Sequence, residues 1–267
     1  MADIRYAARP LLHEDADGGP AAPPTMWSKT LVTFYETDPG LIASVLPKPL
    51  EVTDNPMVRL NFAQVDMPRG VLGASVCSVT CMHEGQVGLY DLTMVMTTEQ
   101  AVIGGRETFG EPKKLGNVAL TREGDRVHGV VSRMGIDYME LEGTIAETLD
   151  PRPLSQRVTF YFKFMMNPDG SGFDHDPSLV YCHRTEEQRL LERVEPTITL
   201  RDSNADPIAD LPVRRIVSCE YSESNTTQKG VIMGTVPSEW ILPFAHQRYD
   251  FLGPRKALKV GVGAPGL

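Results

Sequence analysis

Short runs of β-branched and aromatic residues, each bounded by turn residues, follow one another through most of the chain. They predict strands at residues 57–66, 88–97, 117–122, 126–134, 138–147, 157–166, 178–182, 195–200 and 213–222. The turn residues Glu123-Gly124-Asp125 predict a hairpin between two of these runs. The close spacing favours a mainly β (α+β) fold, an antiparallel β-barrel or double sheet with a few flanking helices. The mouth of such a barrel is a natural pocket for a small molecule.

Helices are expected at only two places. Asp38 followed by Pro39 is typical of a helix start, and this helix is expected to end at about Leu46, before Pro47. A longer C-terminal helix is expected over 237–251, with a kink at Pro243.

One domain is expected over residues 26–255, since 267 residues are enough to bury a large core in a single unit. It is preceded by a flexible N-terminal arm over residues 1–25, of which 14–25 are rich in Gly, Pro and Ala. Residues 256–267 are expected to form a C-terminal tail. Residues 261–266 match a dinucleotide fingerprint by letters, but they stop one residue before the end of the sequence without a following helix.

Composition argues against several classes of partner and cofactor. The net charge of -9 and the pI near 5.2 disfavour nucleic acid and anionic membrane surfaces. No apolar run approaches the roughly 18 to 20 residues that span a bilayer, and the first residues lack a signal-peptide core, so a cytoplasmic location is expected. Four cysteines and six histidines show no metal-ligand spacing. Neither a metal nor a cofactor is expected.

Two adjacent lysines, Lys113 and Lys114, directly follow a proline. An ordinary lysine is protonated at pH 7, so one that attacks a carbonyl needs burial, a cationic neighbour, or both. Shifting a lysine pKa down by three to four units costs roughly 4 to 5 kcal/mol. Two like charges about 4 Å apart repel by only about 1 kcal/mol in water, but by about 4 kcal/mol at an effective dielectric constant of 20. The neighbour therefore helps only in a dry site; on its own, a Lys-Lys pair is more typical of a solvated surface.

The wider segment over 104–116, Gly-Gly-Arg-Glu-Thr-Phe-Gly-Glu-Pro-Lys-Lys-Leu-Gly, resembles the signature of the acetoacetate decarboxylase family. In that signature a Gly-Arg-Glu is followed, after about five residues ending in Pro, by Lys-Lys-Leu-Gly. Further similarities follow in order over about residues 26 to 255, among them 35–38, 45–51, 58–60, 88–90 and 210–218. The resemblance implies that Lys113 forms a Schiff base and that Lys114 is its electrostatic partner.

The same resemblance places other residues where the family's decarboxylases hold the substrate carboxylate. Counting back without gaps, Ala74 stands at the position of the family's glutamate, and Ser28, with Lys29 beside it, stands at the position of its arginine. The chain is therefore expected to keep the imine-forming lysine and to lack the usual groups near the departing carboxylate. This argues against simple acetoacetate decarboxylation.

Glu111 is a candidate for proton transfer, because residues two apart on an extended strand face the same side. The alternative is a surface glutamate that pairs with Lys114. Arg106 either recognises an anionic substrate group or forms a structural pair. Tyr90 and Met94 either line the dry wall of the site or belong to the ordinary core.

Three functions are compatible with these residues. The first is a Schiff-base lyase acting on a keto acid or β-keto acid, by decarboxylation of a larger β-keto acid or by aldolase or dehydratase chemistry. The second is a hydrolase of a β-dicarbonyl compound. The third is a non-catalytic barrel that binds a small acid through Lys113 and Arg106. The resemblance also favours a homo-oligomer.

Overall fold

The computed structural model describes residues 6–7, 26–67, 70–152 and 154–250. Strands dominate these residues, as the spacing of the β-type runs predicts. The strands are β1 (Trp27–Glu36), β2 (Glu51–Val52), β3 (Val58–Met67), β4 (Gly70–His83), β5 (Gln86–Met96), β6 (Lys113–Leu115), β7 (Asn117–Glu123), β8 (Arg126–Arg133), β9 (Ile136–Leu149), β10 (Ser155–Lys163), β11 (Ser178–Leu200) and β12 (Arg215–Thr235). The helices are α1 (Pro39–Val45), α2 (Glu99–Phe109) and α3 (Ser238–Ile241), with 3-10 segments at Ile208–Asp210 and Leu242–Gln247.

The strands form one large sheet in the order β10-β5-β4-β3-β1-β12-β11-β9-β8-β7. Because β10 pairs with β11 as well as with β5, the pairings run in a closed cycle through β10, β5, β4, β3, β1, β12 and β11. The mainly β prediction is confirmed, but the sheet is mixed and not purely antiparallel. Both β6 and β10 run parallel to β5. Parallel neighbours need a crossover connection, and α2 supplies the one between β5 and β6.

The hairpin layer β7–β8–β9 packs closely on β3 and β4. An added Cβ at Gly129 on β8 would lie 2.6 Å from the ring of Phe62 on β3, and one at Gly73 would lie 2.7 Å from the carbonyl of Val118. Phe62 is fully buried in the main hydrophobic cluster. Burial of such a side chain stabilises the fold by roughly 1.5 to 3 kcal/mol, so this contact helps to fix the layer in place.

Of the two helix predictions, one is confirmed and the other is wrong. The helix α1 is confirmed at Pro39, where the Asp38 carboxylate accepts a hydrogen bond of 2.8 Å from the Gly40 amide. The predicted single helix over 237–251 is wrong within the described residues. Four residues of α-helix are followed by a 3-10 segment that has Pro243 in its first turn, where proline cannot donate the next backbone hydrogen bond. Position 251 lies outside the described residues.

The predicted runs omit the strands β1, β2, β4 and β6, and they divide β11 in two. The helix α2 was not predicted either, since its two central glycines lower helix propensity. The runs at 178–182 and 195–200 belong to one 23-residue strand, β11. Its charged middle section lacks a hydrophobic pattern, but it pairs continuously with β12 through two bulges.

Most of the expected N-terminal arm and all of the C-terminal tail lie outside the described residues, so the domain boundaries stay predictions. No helix in the described part of the chain is long and apolar enough to cross a membrane.

Candidate active site

The connection from α2 to β6 sets the position of the two lysines. Thr98 caps the start of α2, and Gly110 ends it in a left-handed conformation with φ of 81°, its amide donating to the Arg106 carbonyl at 3.1 Å. A Cβ at Gly110 would also lie 2.7 Å from the Cα of Lys163, so this position requires glycine twice over. After Pro112 the chain enters β6, with Lys113 in register with Met94 of β5.

Lys113 and Lys114 face opposite sides of β6, because side chains alternate along a strand. The Nζ of Lys113 lies 2.8 Å from Glu111 Oε2, whereas the Nζ of Lys114 lies 2.7 Å from Asp250 Oδ1. Both lysine side chains are largely buried, at 11% and 6% exposure. The adjacent pair in sequence is therefore divided between two separate charge clusters.

The Lys114 cluster contains two cations and two carboxylates. Lys114 Nζ is also 3.4 Å from Asp206 Oδ1, and the guanidinium of Arg133 is 2.5 Å from Asp206 Oδ2 and 2.6 Å from Asp250 Oδ2. Burial raises the pKa of Asp250, but hydrogen bonds from Arg133 and Lys114 bring it below its ordinary value. Since these charges balance, the field of Lys114 at Lys113 is partly cancelled.

Glu111 is the centre of the Lys113 cluster and is fully buried. Its Oε1 accepts a hydrogen bond of 2.9 Å from Arg184 on β11. Its Oε2 is at ion-pair distance from Lys113, yet it receives no well-oriented hydrogen bond from the described residues. Arg184 therefore holds Oε1, while Oε2, which faces the amine, can still accept a hydrogen bond.

A hydrogen-bonded chain extends from Arg184 into the sheet. Arg184 also donates to the Tyr161 hydroxyl at 3.0 Å, and that hydroxyl donates to Asp91 Oδ2 at 2.5 Å. Ser78 donates to the other oxygen of Asp91 at 2.6 Å. Burial raises the pKa of Tyr161 well above its ordinary value, so its hydroxyl stays a donor at neutral pH. Tyr161, Asp91 and Ser78 of this hydrogen-bonded network are buried, whereas Arg184 is partly exposed.

Gly105 of α2 leaves the space that Lys113 and Glu111 occupy. A Cβ there would lie 2.6 Å from Lys113 Nζ and 2.5 Å from Lys113 Cδ, and it would lie closer still to Glu111 Oε2. Real Cβ atoms do not approach neighbours this closely. The helix backbone thus forms one wall of the site, and only glycine fits there.

Of the residues predicted from sequence, Lys113, Glu111 and the buried Met94 come together. Tyr90 lies in the hydrophobic core on the opposite face of β5 from Asp91, and its hydroxyl donates to Gln247 at 2.6 Å. The guanidinium of Arg106 lies 4.7 Å from the ring centre of Tyr249.

Lys29 is exposed on β1, which β3, β4 and β5 separate from β6. No ion pair or hydrogen bond joins Lys29, Arg106 or Tyr90 to Lys113 among the described residues, and their part in substrate binding stays a prediction.

Sequence reasoning missed Arg184, Tyr161 and Asp91. Arg184 lies 73 positions after Glu111, and it reaches that carboxylate only because β10 and β11 close the cycle of strands. Asp91 carried a signal, since it is the one charged residue in the buried stretch of β5, over 89–96. A buried charge needs a partner, so its presence there indicated a polar network.

A small cleft of about 20 Å³, room for about one water, lies beside Pro112. Asp91 and Tyr161 of the hydrogen-bonded network line it together with Tyr90 and Phe162, whereas Lys113 does not. Among the described residues no group of three or more His, Cys, Asp or Glu side chains is arranged to hold a metal ion.

Residues 9–236 match the protein family described as acetoacetate decarboxylase (ADC). The acetoacetate decarboxylase of Burkholderia cenocepacia (strain HI2424) is 28% identical over 209 residues, which cover 74% of this chain and 82% of that protein.

Two solved structures share the fold. The acetoacetate decarboxylase of Legionella pneumophila superposes with a TM-score of 0.68 at 23% identity, covering 87% of this chain and 92% of that one. The enduracididine biosynthesis enzyme MppR, complexed with pyruvate, superposes with a TM-score of 0.67 at 17% identity, covering 82% and 95% of the two chains.

Proposed function

Because the chain belongs to the acetoacetate decarboxylase family, we propose that it is a lyase in which Lys113 forms an imine with the carbonyl carbon of a keto acid. The observation that carries this proposal is the buried contact between Lys113 Nζ and Glu111 Oε2 at 2.8 Å. An amine and a carboxylate in contact in a dry site exchange a proton easily, since burial disfavours both charged forms. Lys113 is the nucleophile and Glu111 is the proton carrier.

The reaction begins with transfer of a proton from Lys113 to Glu111, which leaves a neutral amine and a carboxylic acid. The amine attacks the carbonyl carbon, a C–N bond forms, and the carbonyl oxygen leaves as water after receiving protons from the amine and from Glu111. The resulting iminium withdraws electrons from the bond next to it, which allows loss of carbon dioxide or of a proton. Protonation of the enamine and hydrolysis by water release the product and the amine.

Arg184 controls the proton on Glu111. Its hydrogen bond to Oε1 stabilises the carboxylate and so opposes the first transfer, while it holds Oε2 toward the amine. The Tyr161 hydroxyl accepts a hydrogen bond from the same nitrogen of the guanidinium, Nη2, and so helps to hold it in place. In this proposal Arg184 is a positioning residue, and replacing it changes the pH dependence of imine formation more than the affinity for substrate.

Lys114 contributes mainly by anchoring β6. Its charge is offset by Asp206 and Asp250, and it faces away from Lys113. The burial of Lys113 against α2 therefore has the larger effect on the reactive amine.

Decarboxylation and aldolase or dehydratase chemistry share the iminium and are distinguished only by its later fate. Ala74 stands at the position where the resemblance places the decarboxylases' glutamate, which weakens the case for acetoacetate as substrate. The fold is shared both with acetoacetate decarboxylases and with MppR, which was solved with pyruvate. We therefore propose a keto acid as substrate, with the two outcomes ranked equally.

A second candidate function is reversible binding of a small acid without covalent chemistry. The same ion pair favours it, because a lysine that stays protonated beside Glu111 binds anions but does not attack a carbonyl.

Borohydride trapping separates the two functions. The native protein is incubated with pyruvate, acetoacetate and a series of larger keto acids, reduced with borohydride, and weighed by intact-protein mass spectrometry. We expect an adduct that is absent in Lys113→Ala and present in Lys229→Ala, a matched variant at an exposed lysine. Binding of the same acids without any adduct would contradict the lyase and support the binding protein.

A further inference from the structure

Arg59 on β3 has no ion pair or hydrogen bond from its guanidinium in the described part of the chain, and it faces the opposite side of the strand from the fully buried Leu60. It is opposite Ser78 on β4, which is opposite Asp91 on β5, so the three side chains share one face of the sheet. Protein surrounds Arg59 densely, yet the residue keeps part of its accessible surface. Such a side chain lines a space that water or a ligand can enter.

The carboxylates near Arg59 are already engaged. Asp91 accepts hydrogen bonds from Ser78 and Tyr161. Glu186 accepts from Arg157 at 2.6 Å and from Gln188 at 3.1 Å.

Glu111 is linked to Tyr161 and Asp91 through Arg184. Its carboxylate is shared by Arg184 and Lys113. None of the three carboxylates has an ion pair with Arg59.

Seven charged residues make up the Arg59 cluster, and their charges do not cancel. The cations are Arg59, Arg157, Arg184 and Lys113, and the anions are Asp91, Glu111 and Glu186. Four positive and three negative charges leave one positive charge in excess. Burial, followed by repulsion from Arg157, lowers the pKa of Arg59 to about 10, although Asp91 and Glu186 act in the opposite direction. One further negative charge would complete the cluster.

Strand register places Arg59 on the same face of the sheet as Lys113. Two positions along β3, Asn61 has the same orientation and is in register with Val76, Met94 and then Lys113 across the sheet. The backbones of β3 and β6 are three strand spacings of about 4.8 Å apart, or roughly 14 Å. The long side chains of Arg59 and Lys113 can reduce the distance between their charged groups. The side-chain oxygen of Asn61, next to Arg59 on this face, is buried and has no hydrogen-bond partner among the described residues.

We propose that Arg59 binds the carboxylate of the substrate, whose carbonyl carbon is presented to Lys113 across the same face of the sheet. The substrate is then a monoanionic keto acid, and Arg59 takes over the carboxylate recognition that the resemblance assigns elsewhere, to the positions held here by Ala74 and Ser28. A guanidinium suits this task because its paired N–H groups match a carboxylate. This inference rests on the proposed function for the identity of the reacting amine, but the carboxylate site itself does not depend on imine formation.

The test compares a keto acid with its uncharged ester. Borohydride trapping is measured over a range of acetoacetate and methyl acetoacetate concentrations in the native protein, in Arg59→Gln and in Arg59→Lys, with Lys229→Gln as an exposed-charge control. We expect Arg59→Gln to raise the half-saturating concentration of acetoacetate by about 10- to 100-fold and to leave that of the ester unchanged, since a charge-assisted contact is lost. Arg59→Lys should give an intermediate half-saturating concentration of acetoacetate, because lysine keeps the positive charge but lacks the paired N–H groups of a guanidinium.

A second measurement separates this inference from the lyase proposal. Butyrate and butyramide, which cannot form an imine, are titrated into Lys113→Ala with and without Arg59→Gln by calorimetry. Butyrate binding that requires Arg59 supports the carboxylate site even if no protein forms an adduct, a result that would contradict only the lyase. The inference is overturned if butyrate binds equally well without Arg59, if it does not bind at all, or if Arg59→Gln weakens acid and ester trapping alike.

Discussion

Replacing Gly105 with alanine tests how tightly α2 confines the reactive amine. The new methyl group would lie 2.6 Å from Lys113 Nζ and 2.5 Å from Lys113 Cδ. The affected atoms are at the ends of two side chains, so they can rotate away more cheaply than backbone can. The change therefore acts on the Lys113–Glu111 contact more than on the fold.

Two opposing effects set the stability of this variant. Alanine is favoured over glycine inside a helix by about 1 kcal/mol, and overpacking costs about 1 to 3 kcal/mol. The net change in the free energy of unfolding is expected to be a loss of about 0 to 2 kcal/mol. The functional loss is larger, because a displacement of about 1 Å at a reacting group can cost about 100-fold in rate.

Gly104 provides the matched control. It is the preceding residue of the same helix, and a Cβ there would have no neighbour within 4 Å. Gly104→Ala is expected to raise the free energy of unfolding by about 0.4 to 1 kcal/mol and to leave trapping unchanged.

The assay is the rate of borohydride-trapped adduct formation, with urea denaturation of each variant alongside. We expect Gly105→Ala to form adduct about 100-fold more slowly than Gly104→Ala. A folded Gly105→Ala protein that forms adduct at the native rate would refute the assignment of this wall to the reaction site.

Three further predictions concern the charge clusters. Glu111→Gln keeps the size of the side chain but cannot accept the proton from Lys113, so adduct formation at pH 7 should slow by about 100-fold or more in the same mass assay, and an unchanged rate would exclude Glu111 as proton carrier. Asp206→Asn removes a buried charge shared by Lys114 and Arg133 and should lower the free energy of unfolding in urea by about 3 to 5 kcal/mol, whereas Asp202→Asn, at an exposed position, should change it by less than about 0.5 kcal/mol. The pKa of Asp250 is lowered in the folded protein, so its ion pairs stabilise the fold above the unfolded value of about 3.9 and this stabilisation is lost as pH falls through the lower folded value. The difference in unfolding free energy between the native protein and Asp250→Asn should therefore shrink between pH 7 and pH 3, and a difference that stays constant would contradict the pairing.

Local pattern accounts for the features that depend on a few neighbouring residues. Asp38 and Pro39 predict α1 because capping involves atoms within one turn. Glu111 and Lys113 were expected to share a face because extended backbone alternates its side chains, and the structure places their charged groups in contact. The mainly β class follows from runs of residues that suit a pleated, half-buried surface.

Tertiary structure alone decided which charges meet. Lys114 is adjacent to Lys113 in sequence, yet its nearest partners, Asp206 and Asp250, come 92 and 136 positions later and lie on the other face of β6. Arg184 reaches Glu111 only through the pairing of β10 with β11, which no local pattern specifies. Arg59 lacks an ion pair only because the folded sheet places carboxylates near it that are engaged by other groups. The sequence by itself determined the strand-rich class and the amine with its neighbouring carboxylate, because these depend on backbone geometry over a few residues. The excess positive charge depends on long-range strand pairing, and only the closed cycle of strands produced it.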